Sequence, residues 1–192
     1  MIFKKKNISR LTNEELMTAI KNGNQSAFSE LYERFNQRLY YYFFRMLGND
    51  KEVANDFLQD IFLKIINKPE LFKPGNKFTS WIFTVAHNMC KNEYRHREVR
   101  KIISNDENPD QFLTDENSYE ETLKKEQLIT QLFTEIEYLE EDQKAILLLK
   151  YKENFSLKEI SKILELPLGT IKSRLYYARV ELTKKLANKS LL

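Results

Sequence analysis

The sequence predicts an all-α protein of two small helical domains, an N-terminal helical bundle and a C-terminal helix-turn-helix domain, joined by a flexible acidic linker. Three observations carry that prediction. The 192 residues include only 4 glycines and 4 prolines, too few for the many tight turns of hairpin architectures. Apolar residues recur at spacings of three and four over long stretches, the period of a helix with one buried face. Charge is blocked rather than mixed. Residues 1–103 hold 18 Lys and Arg against 11 Asp and Glu, residues 104–122 hold 7 acidic residues and no basic ones, and residues 123–192 hold 13 basic against 10 acidic. Two basic blocks around an acidic strip suggest two modules that meet a polyanion, although such strips also join unrelated domains. The domain boundaries are therefore set at 12–103, 104–122 and 123–192.

The first module reads as four helices. A short one near 13–21 stops at Asn22-Gly23-Asn24, where a left-handed residue ends a helix without strain. The second carries Phe28, Leu31, Tyr32, Phe35, Leu39, Tyr42, Phe43 and Met46 on one stripe, and Gly48-Asn49-Asp50 ends it and caps the third. The third buries Ala54, Phe57, Leu58, Ile61, Phe62 and Ile65. Its other face offers Asp56, Gln59, Asp60, Leu63 and Lys64. Carboxylates beside an outward leucine suit a protein partner with a basic surface, or else an ordinary solvated face. A loop over 68–77, KPELFKPGNK, leads to a fourth helix from about Thr79 to Arg97. There Trp81, Ile82, Val85, Ala86 and Met89 face a core, while Asn88, Lys91, Asn92, Arg95 and Arg97 lie elsewhere. Cations beside Trp, Tyr and Asn fit phosphate contacts combined with stacking on unpaired bases. Trp81 also reads as a plain core residue, and Asn88 as a surface amide.

In the second module, EEDQKAILLLKYK forms a helix ahead of the segment SLKEISKILELPLGTIKSRLYYARVEL. Ser156 with Glu159 makes a capping box, and Leu157, Ile160, Ile163 and Leu164 follow at helical spacing. Pro167 ends that helix, since it restricts Leu166 and has no N–H to donate. Leu168, Ile171, Leu175, Ala178 and Leu182 line the inner side of the last helix. Its outer side presents Thr170, Lys172, Ser173, Arg174, Tyr176 and Arg179. A basic, hydroxyl-rich helix braced by a short one is how a helix-turn-helix enters a major groove. A helical hairpin with a solvated basic face has the same pattern.

Other classes find little support. The start MIFKKKNISR has positive charge without a following apolar run, so it is not a secretory leader. No stretch approaches the ~20 apolar residues of a membrane span. The single cysteine, Cys90, fits a reducing compartment. His87, Cys90 and His96 are too few and too irregular for zinc. No phosphate loop or catalytic triad stands out, so neither a cofactor nor an enzymatic role is expected.

Together these segments resemble the extracytoplasmic-function sigma factors, small two-domain specificity subunits of bacterial RNA polymerase. NDFLQDIFLKII is similar to the family's polymerase-binding segment, with Asp56, Gln59, Asp60, Phe62 and Leu63 at its positions. FTSWIFTVAHN matches a second family segment through Phe78, Trp81, Ile82, Val85, Ala86 and Asn88, and PLGTIKSRLYYAR a third. The resemblance implies a cytoplasmic protein that binds core RNA polymerase through Asp56, Gln59, Asp60 and Leu63. It implies capture of the melted minus-ten strand by Lys73, Asn76, Lys77, Trp81, Asn88, Lys91 and Arg95. It implies duplex reading of the minus-thirty-five element by Thr170, Lys172, Ser173, Arg174, Tyr176 and Arg179, and an anti-sigma factor as a further partner. Thr84 and His87 stand where the family often has Arg, Glu140 where it often has Pro, and Tyr177 where it often has Arg. Fewer phosphate-directed cations would weaken binding and its salt dependence.

The linker of 19 residues, 104–122, extends to at most roughly 60 Å, about 18 base pairs at ~3.4 Å each. Two readings from other classes stay open: a two-domain helix-turn-helix transcriptional regulator that does not bind core polymerase as a sigma subunit, and a helical adaptor that binds only proteins.

Overall fold

A computed structural model describes residues 8–104, 132 and 134–189. The chain divides into two compact units, 1–98 and 99–192. Apart from Ser104, the acidic linker lies outside the described residues.

The first unit contains α1 (Asn13–Lys21), α2 (Gln25–Met46), α3 (Lys51–Asn67) and most of α4 (Phe78–Ser104), with single 3-10 turns at Ile8–Arg10 and Pro69–Leu71. Local chemistry sets each start. The Thr12 hydroxyl accepts from the Glu15 N–H at 3.2 Å, and the Glu15 carboxylate accepts from the Thr12 N–H at 2.8 Å. The Asn24 side chain accepts from the Ala27 N–H at 3.1 Å, and Asp50 accepts from Glu52 and Val53 at 2.9 and 3.0 Å. Gly23, with φ of 81°, ends α1 where the sequence predicts a left-handed stop. The start of α4 is capped from a distance: Glu14 on α1 accepts the Phe78 N–H at 2.8 Å. Because 76–108 contains neither Gly nor Pro, α4 continues past the expected end at Arg97.

The core of this unit sets a group of aromatic rings among aliphatic side chains. Phe35, Tyr42, Phe43, Phe78 and Phe83 are fully buried. Phe35 meets Phe78 edge-on at 5.1 Å and Tyr42 meets Phe83 at 5.5 Å, so α2 and α4 run side by side in the same direction. Each such ring buried stabilises the unit by about 1.5–3 kcal/mol. Three stripe positions lie at its edge instead. Phe28 is half-buried and Tyr32 exposed, both packing on Phe62, and Phe57 is half-buried against Phe43. Arg34 ties α2 to the segment before α1, donating to the Leu11 carbonyl at 2.8 Å, the Ser9 carbonyl at 2.8 Å and Asn13 Oδ1 at 2.9 Å.

The second unit contains a helical stretch at 134–137, then α5 (Glu141–Leu147), a π-helical turn (Leu148–Lys152), α6 (Leu157–Ile163) and α7 (Leu168–Lys189). Ser156 and Glu159 form the expected capping box. Between α6 and α7, Glu165 takes φ of 55° and the Ser161 hydroxyl donates to the Leu166 carbonyl at 2.6 Å, just before Pro167. Ile160, Ile163, Leu164 and Ile171 are buried beneath this turn. Farther along α7, Ala178 and Leu182 pack with Ile136, Leu139 and Leu147. The buried Lys144 pairs with Glu137 at 2.9 Å, fixing the 134–137 stretch to α5. Glu140, in the place of a family proline, uses the N–H that proline lacks: it donates to Gln143 Oε1 at 3.3 Å.

Candidate functional site

In α3, the residues that do not enter the core form a continuous outward strip. Asp56, Gln59 and Asp60 are exposed, and Leu63 is 52% exposed. Asp56, Gln59, Asp60 and Leu63 follow one another at three, one and three residues, so they share one helix face. Sequence reasoning missed two apolar neighbours. Ile66, one turn beyond Leu63, is 47% exposed, and Leu71 in the following 3-10 turn is exposed as well. Their signal was an isoleucine outside the buried stripe. Adjacent carboxylates and bare aliphatic side chains on a basic module suit a basic protein surface more than nucleic acid.

The loop from 68 to 77 meets α4 through ring contacts and through the Trp81 N–H, which donates to the Lys77 carbonyl at 3.1 Å. Phe72 meets Phe78 at 5.6 Å and Trp81 at 5.3 Å. Gly75 turns the chain with φ of 89°, leaving Lys73, Asn76 and Lys77 exposed immediately before the helix. Trp81 is half-buried, its ring packed on Phe72 and Phe78. Asn88, Lys91 and Arg95 are exposed, and Trp81, Asn88 and Arg95 recur at seven-residue spacing along one stripe. Loop cations thus precede a helix stripe that carries a half-buried indole, an amide and two further cations. Such a row suits a single strand, with phosphates on the cations and bases on the ring and amide.

Beside that stripe lies the buried core. His87 is 4% exposed, and its Nδ1 lies 3.3 Å from the Tyr42 hydroxyl. Burial, assisted by the Lys91 charge, lowers its pKa from 6.5 to about 4, so the ring is neutral at pH 7. Burial likewise raises the Tyr42 pKa well above 10.0. Thr84 is half-buried and donates to the Ser80 carbonyl at 3.0 Å. The two positions read as missing phosphate contacts are thus occupied by residues that serve the bundle. Among the described residues, no group of three His, Cys, Asp or Glu is placed to hold a metal ion.

On α7, Lys172, Ser173, Arg179 and Tyr176 are exposed, Tyr176 by 64%. Thr170 and Arg174 are half-buried. The Ser173 hydroxyl is turned back to the Thr170 carbonyl at 3.1 Å. Arg174 forms an ion pair with Asp142 of α5, a contact that periodicity could not reveal. Tyr177 is exposed beside Tyr176, their rings 5.5 Å apart. The braced helix keeps an accessible face of two cations, a hydroxyl and aromatic rings.

Comparison with known proteins matches both units. The Sigma-70 region 2 family covers residues 31–100, and the Sigma-70, region 4 family covers residues 129–182. The RNA polymerase sigma factor YlaC of Bacillus subtilis is 30% identical over 174 residues, spanning 85% of this chain and 94% of its own length. The ECF RNA polymerase sigma factor SigW of the same organism is 28% identical over 174 residues, covering 87% and 92%. The ECF RNA polymerase sigma-E factor of Escherichia coli is 27% identical over 184 residues, covering 92% and 95%. In fold, the chain is similar to the sigma factor RpoE from Bartonella quintana, solved with the anti-sigma factor NepR. The TM-score is 0.70 at 22% identity, over 83% of this chain and 96% of that one. It is also similar to CnrH, solved with the cytosolic domain of CnrY, with a TM-score of 0.66 at 20% identity over 92% and 97%.

Proposed function

Because this chain belongs to the extracytoplasmic-function sigma factors of RNA polymerase, we propose that its two units divide promoter recognition between them through the surfaces described above. The chain binds core RNA polymerase, directs it to specific promoters and helps melt the minus-ten element. The polymerase is held by Asp56, Gln59, Asp60 and Leu63 of α3, within a region-two domain at 12–103. Ile66 and Leu71 extend that contact.

Lys73, Asn76, Lys77, Trp81, Asn88, Lys91 and Arg95 take the unpaired minus-ten strand. The cations hold phosphates, and Asn88 pairs with the edge of a base that has left the stack. A polar group that satisfies one base edge leaves the wrong base with an unpaired donor or acceptor, which is the source of selectivity. The region-four domain at 123–192 lays α7 in the major groove of the minus-thirty-five duplex. Lys172 and Arg179 mainly hold phosphates, and Thr170, Ser173, Arg174 and Tyr176 complete the contact. The segment 104–122 joins the two, its carboxylates favouring a cationic protein channel over DNA. The phosphodiester chemistry belongs to the polymerase, and this chain supplies binding and orientation only. It works in the cytoplasm, where an anti-sigma factor is its further partner. Among the described residues no helix is long and apolar enough to cross a membrane.

One observation supports this division most directly. A single chain carries an exposed acidic–aliphatic strip on α3 and an exposed basic face on α7, in separate compact units. The test is reconstitution with core polymerase, followed by run-off transcription and sequencing of start sites. Co-elution with core and transcription from a defined promoter set are expected. A chain that binds duplex DNA but never co-elutes with core would be a transcriptional regulator of another kind.

A further inference from the structure

Of the outward residues on α7, Arg174 is the charged one drawn partly inward. Its Nη1 pairs with Oδ2 of Asp142, and both side chains are about one-third exposed, at 33% and 34%. Asp142 belongs to the first turn of α5, where the helix dipole favours a negative charge. The helix beneath it cannot slide. Its start is closed by the Glu140–Gln143 contact at 3.3 Å, Lys144 is anchored to Glu137 at 2.9 Å, and Ala145, Ile146 and Leu147 are buried. Asp142 is therefore a fixed anion beside the helix that meets DNA.

An anion in that place works against plain phosphate binding, since it cancels one positive charge facing a polyanion. What it supplies is geometry. A guanidinium carries five N–H donors in a rigid planar fork. With Nη1 buried against Asp142 in an ion pair that lacks an aligned hydrogen bond, the Nε–Nη2 edge remains as the pair of donors for a base. That pair matches O6 and N7 of guanine in the major groove. A free arginine loses rotamer freedom when it reads a base, and an anchored one has lost it beforehand.

We propose that Asp142 is a positioning residue that makes Arg174 a base reader, selecting guanine at one position of the upstream promoter element. The inference rests on the reading of α7 as the helix in the duplex groove. The test uses the full chain reconstituted with core polymerase, transcribing template pools in which each base pair of the upstream element is randomised in turn. Wild type, R174A, D142A, D142E and the D142A/R174A double variant are compared, with helicity and melting checked by circular dichroism. D142N replaces D142A if the latter melts early.

R174A and D142A are expected to flatten guanine preference at the same single position by about fivefold or more. The double variant should be no worse than R174A, and D142E should regain most of the preference. If R174A flattens one position while D142A leaves it intact, Asp142 does not position Arg174, and the groove reading stands. If D142A raises output from every template evenly, Asp142 is a brake on phosphate contact and the inference is overturned. If R174A changes neither preference nor output, the groove reading itself fails.

Discussion

His87 and Asn88 are neighbours on α4 with opposite environments, one sealed in the core and one exposed. The resemblance alone made His87 a lost phosphate contact. Its depth could not be read from residue type, because a histidine fits either side of a helix. The burial has a consequence for stability. Its folded pKa of about 4 lies below the ordinary 6.5, so the unfolded chain binds a proton first as pH falls. The contribution is fully present above pH 6.5 and is lost as pH falls toward 4. At about 1.4 kcal/mol per pH unit, the loss approaches about 3 kcal/mol. Urea melts of the full chain at pH 7 and pH 4.5 should show this fall, and H87Q should show less of it. An equal pH dependence in both proteins would mean that other groups cause it. For Asn88 the expectation is kinetic. N88A should bind core polymerase normally but open promoters more slowly, read as delayed permanganate reactivity of unpaired thymines. Unchanged opening would leave the loop cations Lys73 and Lys77 as the better candidates for strand capture.

At the level of elements, what the sequence made legible was local. Ser156 and Glu159 had to cap α6 because both partners lie within one turn, and Pro167 had to end the segment because its chemistry allows nothing else. Periodicity found the buried side of α2 and α3 but not the thickness of their neighbours, which is why Phe28, Tyr32 and Phe57 sit at the edge. Contacts between distant residues left no trace in the pattern. Arg34 donates to groups 21 to 25 residues earlier. R34A would remove these three contacts and loosen the segment before α1, a cost of about 1–2 kcal/mol measurable in denaturant melts. R34K, which cannot reproduce the planar fork, should recover only part of it. The outward strip of α3 makes the opposite case, with function and little stability. Asp56 and Asp60 are exposed, so D56K/D60K should keep helicity, lysine being a good helix former. Against a basic partner surface the reversal should lower affinity for core polymerase by at least about tenfold. Undiminished pull-down would remove α3 from the polymerase contact.

At the scale of the molecule, the sequence marked the two units more clearly than their ends. Charge blocking sets the first boundary at 103, whereas α4 runs on to Ser104 and the first compact unit closes at Glu98. If each unit binds its own promoter element, the segment between them limits how far apart those elements can lie. Its 19 residues reach at most roughly 60 Å, and removing eight would leave roughly 36 Å. At ~3.4 Å per base pair the loss corresponds to about seven base pairs of span. Neither proposed surface is touched by such a deletion, so core binding through α3 and duplex binding through α7 should both persist. Transcription from promoters with native spacing should fall about tenfold or more, and promoters with a shortened spacer should lose less. Replacing the seven carboxylates with their amides at constant length separates reach from charge. A drop in transcription on that change, with length kept, would assign the segment a contact inside the polymerase. A shortened linker that transcribes every spacing equally well would show that the two units need not engage one promoter together.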